Sequence, residues 1–98
     1  NNFIHILLNN GVHDSVGGQP TVGLDISMPD IAKACGYKKV IGPLVNNKDI
    51  INTISNLKKE LLLSFIEILV KPGSRIDLGR PKESPKENKK IFVKNLLL

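Results

Sequence analysis

Apolar positions along the chain fall into two kinds of pattern, short continuous runs and stripes at helical spacing, and the two alternate. Phe3-Ile4-His5-Ile6-Leu7-Leu8 is a continuous run with one histidine, uncapped and too short for a lone helix, which predicts a buried strand. Lys39 to Val45 is a second candidate strand, but Gly42-Pro43 at its middle restricts it to a short or edge position. Leu62 to Val70 is the third, apolar apart from Ser64 and Glu67. The stripes lie between and after these runs. Ser27-Met28-Pro29-Asp30 opens the first helix: Ser27 caps it, Pro29 fits the first turn, and Asp30 can reach back to close a capping box. Ile31, Ala32, Ala34 and Cys35 give that helix its apolar stripe, and Gly36 ends it as a left-handed cap. Asn46 or Asn47 caps the second helix, with Ile50, Ile51, Ile54 and Leu57 facing inward and Lys48, Asn52, Ser55 and Lys59 facing water. Ser84-Pro85-Lys86-Glu87 is a full capping box with proline at the first helical position, and it predicts a third helix with Ile91, Phe92 and Leu96 as its buried stripe.

Strand, helix, strand, helix, strand, helix is the alternation of an α/β protein, here three strand-helix units on one parallel sheet. Right-handed crossovers bring the loops that follow the strands to one end of that sheet, where ligands of such folds bind. Two of these loops are rich in glycine: Asn9 to Gln19, and Lys71 to Arg80. The first runs on as far as Ile26, and a loop of that length without internal structure is usually functional or disordered.

Length and charge narrow the picture. The chain has 98 residues, enough for one domain, and its 41% hydrophobic and 23% charged content is that of a globular protein. No apolar stretch approaches the roughly 20 residues of a membrane span, and no signal peptide is evident, so the expected compartment is the cytoplasm, with no membrane partner. Cys35 is the sole cysteine, which excludes an internal disulfide and a structural zinc site; it is expected to pack in its helix. Asn1 and Asn2 lead at once into a strand, as expected of a fragment of a longer protein. The net charge of +5 is uneven: one base against three acids as far as Tyr37, then thirteen bases against six acids. One tyrosine, three phenylalanines and no tryptophan leave no stacking platform among those lysines, so nucleic acid is not an expected partner. His5 has no second ligand suitably placed and is expected at a strand edge or in a core hydrogen bond.

The residues that carry chemistry open the first loop. Asn10 offers an amide oxygen, and Gly11 lets the backbone turn so that the carbonyl of Val12 points the same way. Two such oxygens make half a site for a hard cation such as magnesium. An amide followed by glycine is equally the signal of a plain turn, and the residues alone leave both readings open. There is no acid pair, no nucleophile beside a base and no P-loop lysine.

Leu7-Leu8-Asn9-Asn10-Gly11 resembles the second half of the thiamine-diphosphate motif, in which Gly-Asp-Gly is followed some two dozen residues later by a strand ending in Asn-Asn. Gly11-Val12-His13-Asp14-Ser15-Val16-Gly17-Gly18-Gln19 closely resembles the phosphonopyruvate decarboxylases and the related sulfopyruvate decarboxylases. The likeness continues through Asp30 to Tyr37, Lys71-Pro72-Gly73-Ser74-Arg75, Leu78-Gly79-Arg80-Pro81 and Ser84-Pro85, so it runs from end to end of the chain.

The resemblance implies the carboxyl-terminal part of a thiamine-diphosphate-binding fold, with residues 1–98 as a single, partial cofactor-diphosphate domain. It implies that Asn10, by its side chain, and Val12, by its carbonyl, hold the magnesium ion that clamps the cofactor diphosphate. Gly11, His13 and Asp14 join them in the cofactor site, and His13, Ser15, Gln19 and Arg80 are candidates for the substrate. No catalytic residue is assigned within the chain. The implied reaction converts phosphonopyruvate to phosphonoacetaldehyde and carbon dioxide. Gly-Asp-Gly and the pyrimidine-binding domain with its activating glutamate are not among these 98 residues. The fragment by itself is therefore expected to be inactive, and the sheet edge and apolar faces uncovered by truncation are expected to drive homo-oligomer formation. Sulfopyruvate decarboxylase is the nearest alternative, and a non-catalytic α/β binding module is the alternative outside enzymes.

Overall fold

The computed structural model describes residues 2–96. In chain order the elements are β1 (Ile4–Asn9), β2 (Val12–His13), β3 (Gln19–Pro20), α1 (Met28–Ala34), β4 (Lys39–Leu44), α2 (Asn47–Glu60), β5 (Ser64–Leu69) and α3 (Pro85–Leu96), with short 3-10 turns at Asp14–Val16 and Val22–Leu24. The α/β class, the parallel sheet and the three helices are those the apolar pattern predicts.

β1, β5 and β4 lie side by side in that order, all parallel. The strand last in sequence is thus the middle one, and it is the one whose residues Ser64 to Ile68 are all buried. A strand covered on both faces reads as a near-continuous apolar run, which is how 62–70 reads. β4, with its Gly42-Pro43, takes an edge as expected, and its register against β5 shifts between Ile41 and Leu44.

Residues paired across a parallel ladder share a face. Ile4, Ile6 and Leu8 of β1 stand beside Ser64, Ile66 and Ile68 of β5. On that face α2 lays down Leu57, Ile50 and Ile54 against Ile66, Ile68, Ile41 and Leu44, forming the core. On the opposite face α1 contributes buried Pro29 and Ala32, and beside it His5, Tyr37 and Phe65 cluster. His5 Nδ1 meets the Tyr37 hydroxyl at 2.8 Å, and Phe65 stands edge-on to both rings at 5.1 and 5.6 Å. His5 therefore does sit on an edge strand, in a hydrogen bond.

The caps form as the sequence predicts. Ser27 Oγ accepts from the Asp30 N–H, Asn46 Oδ1 from the Asp49 N–H, and Ser84 Oγ from the Glu87 N–H while Glu87 reaches back to Ser84. Asn46, not Asn47, is the cap of α2.

Four expectations about burial fail. The Phe3–Leu8 run, read as a buried strand, lies at a sheet edge and leaves Phe3, Ile6 and Leu8 59%, 41% and 63% exposed. Ile51 is 63% exposed: the stripe Ile50-Ile54-Leu57 already faces the sheet, and a residue about 100° further round the helix falls outside it. Ile91, Phe92 and Leu96 are exposed, as is every residue from Val70 to Leu96, so α3 has no buried stripe. Its capping box and helical propensity are local and form the helix; burial needs a surface that this chain does not bring to it. Cys35 is exposed as the C-cap of α1 rather than packed. The long loop is also more structured than expected, since β2 and β3 pair antiparallel within it.

The consequence is an open shape. The radius of gyration is 16.2 Å, against about 13 Å for a compact domain of this length. The accessible surface of 8029 Å² compares with about 5,500 Å² for a compact monomer of this mass. Among the described residues no helix is long and apolar enough to cross a membrane.

Ile66→Ala empties the centre of the core and is expected to cost about 2–5 kcal/mol in urea unfolding, whereas Ile51→Ala is expected to stay within about 0.5 kcal/mol. A second expectation concerns α3. The Ser84 hydroxyl and N–H both donate to Glu87, holding its carboxyl below the ordinary 4.5. A carboxylate whose folded pKa is the lower one supports the fold above its ordinary pKa and loses that support as pH falls through the folded value. The helical Cα shifts of Pro85–Leu96 are therefore expected to decay on acidification below the usual glutamate range, and to be weakened at neutral pH in Glu87→Ala.

Candidate functional site

β1 ends at the carboxyl edge of the sheet in a buried asparagine. Asn9 is 7% exposed, and its amide is fully used. Nδ2 donates to the Gly23 carbonyl and, at 2.8 Å, to Glu67 Oε1, while Oδ1 accepts the Gly11 N–H at 3.1 Å. One side chain thus ties the end of β1 to the middle strand, to the 3-10 turn at Val22–Leu24, and to the start of its own turn. Gly23 lets that turn approach: a Cβ there would stand 2.9 Å from Asn9 Oδ1.

Asn10 repeats the pattern one residue on, facing outward. Its Nδ2 donates to Asp14 Oδ2 at 2.7 Å, and its Oδ1 accepts the Val12 N–H at 3.1 Å. Fixing the NH2 group on a carboxylate settles which way the amide faces and turns Oδ1 toward Val12. Gly11, at φ +71°, supplies the left-handed conformation that links the two asparagine turns, and its carbonyl accepts from Thr21 N. With the Thr21 N–H on the Gly11 carbonyl, Val12 and Pro20 form a non-hydrogen-bonded pair of the hairpin, so the Val12 carbonyl is turned away from β3. Asn10 Oδ1, which has a second lone pair, and the Val12 carbonyl are neutral oxygens on one turn. That is the donor chemistry a hard divalent cation takes.

Asp14 does more than hold Asn10. The same Oδ2 accepts the N–H of Gly73 at 3.0 Å, joining the first loop to the loop after β5. Of the other residues singled out from the sequence, His13, Ser15 and Gln19 are exposed on the β2–β3 hairpin and its 3-10 turn, one to seven positions beyond Val12. Arg80 is exposed in a shallow depression formed by residues 74–81, in the same loop as Gly73. Arg75 pairs with Asp77 at 3.4 Å. The structure therefore gathers Asn10, Gly11, Val12 and Asp14 into one cluster, lays His13, Ser15 and Gln19 along its rim, and leaves Arg80 further along the second loop.

On the α1 side of the sheet a cleft of about 380 Å³ opens between Gly23, Ile26, Pro29, Pro43, Glu67 and Leu69. Glu67, 4% exposed, is the residue that the sequence signalled without assigning. A lone carboxylate in the middle of an apolar strand was visible; its bond to Asn9, 58 positions away, required the sheet register. Among the described residues no three His, Cys, Asp or Glu side chains cluster as metal ligands.

A parallel α/β sheet with loops meeting above the carboxyl ends of its strands is the arrangement in which open α/β folds carry their ligand crevices. Comparison with known proteins finds relatives over nearly the whole of this chain. The chain is 38% identical over 93 residues to a phosphonopyruvate decarboxylase of Streptomyces hygroscopicus, and 35% identical over 91 residues to one of Streptomyces viridochromogenes, each match covering 93% of this chain. It is 36% identical over 97 residues, 97% of its length, to a sulfopyruvate decarboxylase of Methanosarcina acetivorans. The chain is thus a homologue of a segment of these decarboxylases, and it spans 22–24% of their length. No family model matches it.

Gly23→Ala puts a methyl group against an amide that cannot give way without breaking a buried bond. It is expected to shift the Asn9 side-chain amide resonances and to cost about 1–3 kcal/mol in urea unfolding.

Proposed function

We propose that this chain is the cofactor-diphosphate portion of a thiamine-diphosphate- and magnesium-dependent decarboxylase that converts phosphonopyruvate to phosphonoacetaldehyde and carbon dioxide. The observation that carries the reading is the Asn9–Val12 turn: two neutral oxygens, from Asn10 and Val12, on one turn at the carboxyl edge of a parallel sheet, with Asn10 held in orientation by Asp14. The donor set fits magnesium, which takes few protein oxygens and completes its shell with water and phosphate. Asn10 and Val12 hold the ion in this reading, and Gly11, His13 and Asp14 border the diphosphate. Thiamine diphosphate, when bound, supplies the electron sink that decarboxylation of a 2-oxo acid requires.

The chain's own residues have binding and orienting roles. His13, Ser15 and Gln19, on the rim beside the clamp, contact the substrate. Arg80, whose fork matches a phosphonate and whose loop is tied to the first by the Gly73 to Asp14 bond, binds the charged end. The similarity to a sulfopyruvate decarboxylase keeps sulfopyruvate as the second reading, since sulfonate and phosphonate differ mainly in charge and one proton. Half a clamp binds weakly, so the chain alone is inactive. It also self-associates: its surface exceeds that of a compact monomer by about 2,500 Å², an amount within the range of permanent interfaces, and Leu8 on β1 and Phe92 on α3 are 63% and 65% exposed.

Grafting residues 1–98 in place of the matching segment of the Streptomyces hygroscopicus relative tests the function. The chimera is expected to decarboxylate phosphonopyruvate in preference to sulfopyruvate, to lose at least a hundredfold in kcat/KM with Asn10→Ala, and to show a raised KM with Arg80→Ala. A folded chimera inert toward both acids defeats the reading, and a preference for sulfopyruvate selects the second one. Isothermal titration of the chain itself with thiamine diphosphate and magnesium should show no micromolar affinity. Light scattering should show a dimer or larger, and a monomer at high concentration removes the self-association.

A further inference from the structure

Glu67 is a poor choice for the fold. It lies in the middle of the central strand, 4% exposed, between Ile66 and Ile68, and among the described residues no lysine or arginine pairs with it. A buried carboxylate without a cation carries a desolvation cost that one neutral hydrogen bond does not repay, and an apolar side chain of similar size would serve the core better. What a leucine could not supply is an acceptor for the amide of Asn9, and that bond is the one Glu67 makes.

The Asn9 amide has two hydrogens, one on Gly23 and one on Glu67. With both committed, its oxygen has one orientation, and in it the oxygen receives the Gly11 N–H. Gly11 carries the φ +71° conformation that sets Asn10 and Val12 beside each other. The sequence of dependence runs from Glu67 to Asn9, from Asn9 to Gly11, and from Gly11 to the two oxygens. From this geometry we infer that Glu67 is a positioning residue: through the Asn9 amide, it fixes the turn that presents Asn10 Oδ1 and the Val12 carbonyl to a cation. The cation part of this inference rests on the function proposed above. The positioning of the turn does not.

The test separates the two. In the 98-residue chain, NMR reads the exchange protection of the Asn9 side-chain amide and the Gly11 N–H, and Mn²⁺ added alone reports by paramagnetic broadening on whichever residues it approaches. Glu67→Gln keeps an acceptor oxygen for Asn9 and is expected to keep both protections within about twofold of wild type, together with the broadening at Asn10 and Val12. Glu67→Leu keeps the burial and removes the acceptor. It is expected to speed exchange at Gly11 and at the Asn9 amide at least tenfold and to raise several-fold the Mn²⁺ needed to broaden Asn10 and Val12, with the protections of the β5 amides unchanged. A folded Glu67→Leu in which Gly11 and Asn9 stay protected overturns the proposal, since a residue that only fills space would leave them so. If Glu67→Leu does not fold, Glu67→Gln decides: loss of Gly11 protection with the acceptor still present overturns it, and retained protection supports it. Mn²⁺ that spares Asn10 and Val12 in the wild type overturns the cation reading and leaves the turn to be judged by exchange alone.

Discussion

The amide of Asn9 makes three hydrogen bonds at the point where the first strand meets the carboxyl edge of the sheet, and the arrangement of everything above the sheet follows from them. Without the bond to Glu67 the end of β1 would be held to β5 by its backbone ladder alone. Without the bond to Gly23 the long loop would have no fixed return path over the strand. The bond to Gly11 fixes the start of the turn that carries the second asparagine. An amide suits this post because it donates twice and accepts at the same place; a carboxylate could only accept, and a hydroxyl has one hydrogen to give.

The two adjacent asparagines show how one residue type serves two ends. Each puts its NH2 on a carboxylate and its oxygen on the N–H two residues ahead. The difference is burial. Asn9 faces inward, where its bonds are shielded from water and worth the most, and it acts as a fastener. Asn10 faces outward, half-buried, with a lone pair to spare, and it is the one able to meet a ligand. Local sequence cannot distinguish the pair, since both are amides before the same glycine. The strand's alternation assigns the inward role to Asn9, which shares a face with Glu67, and the turn that follows gives Asn10 the outward one.

Much of the fold was legible because its signals are local. Ser27, Asn46 and the Ser84–Glu87 box each announce a helix start within four residues, and each is made in the structure. The strands were legible as apolar runs, and Gly42-Pro43 marked β4 for an edge. What failed most widely was burial, for a reason common to Ile91, Phe92 and Leu96. An apolar stripe states which side of a helix seeks cover but not whether cover exists. Three strands and two packed helices do not supply enough of it. The candidate site was legible as a string and not as an assembly: Asn10, Val12 and Asp14 stand within five residues, whereas Glu67 and Gly73 reach them only through the parallel pairing of β1 with β5.

The uncovered apolar surface has its origin in topology. A parallel sheet places its ligand crevice where loops from several strands converge, so a binding site divided among strands is completed only by all of them. Here β1 and β5 contribute loops that meet through Asp14 and Gly73, while the outer edge of β1 has no described neighbour. There Ile6 and Leu8 share the face that α2 packs on but stay 41% and 63% exposed, so the edge without a described neighbour also lacks helix cover. At the other edge β4 packs on α1 and places Ile41 and Leu44 in the core with Leu57 of α2, so the bare apolar surface gathers at β1. A surface seated on Ile6 and Leu8 would bury the apolar groups exposed at that edge.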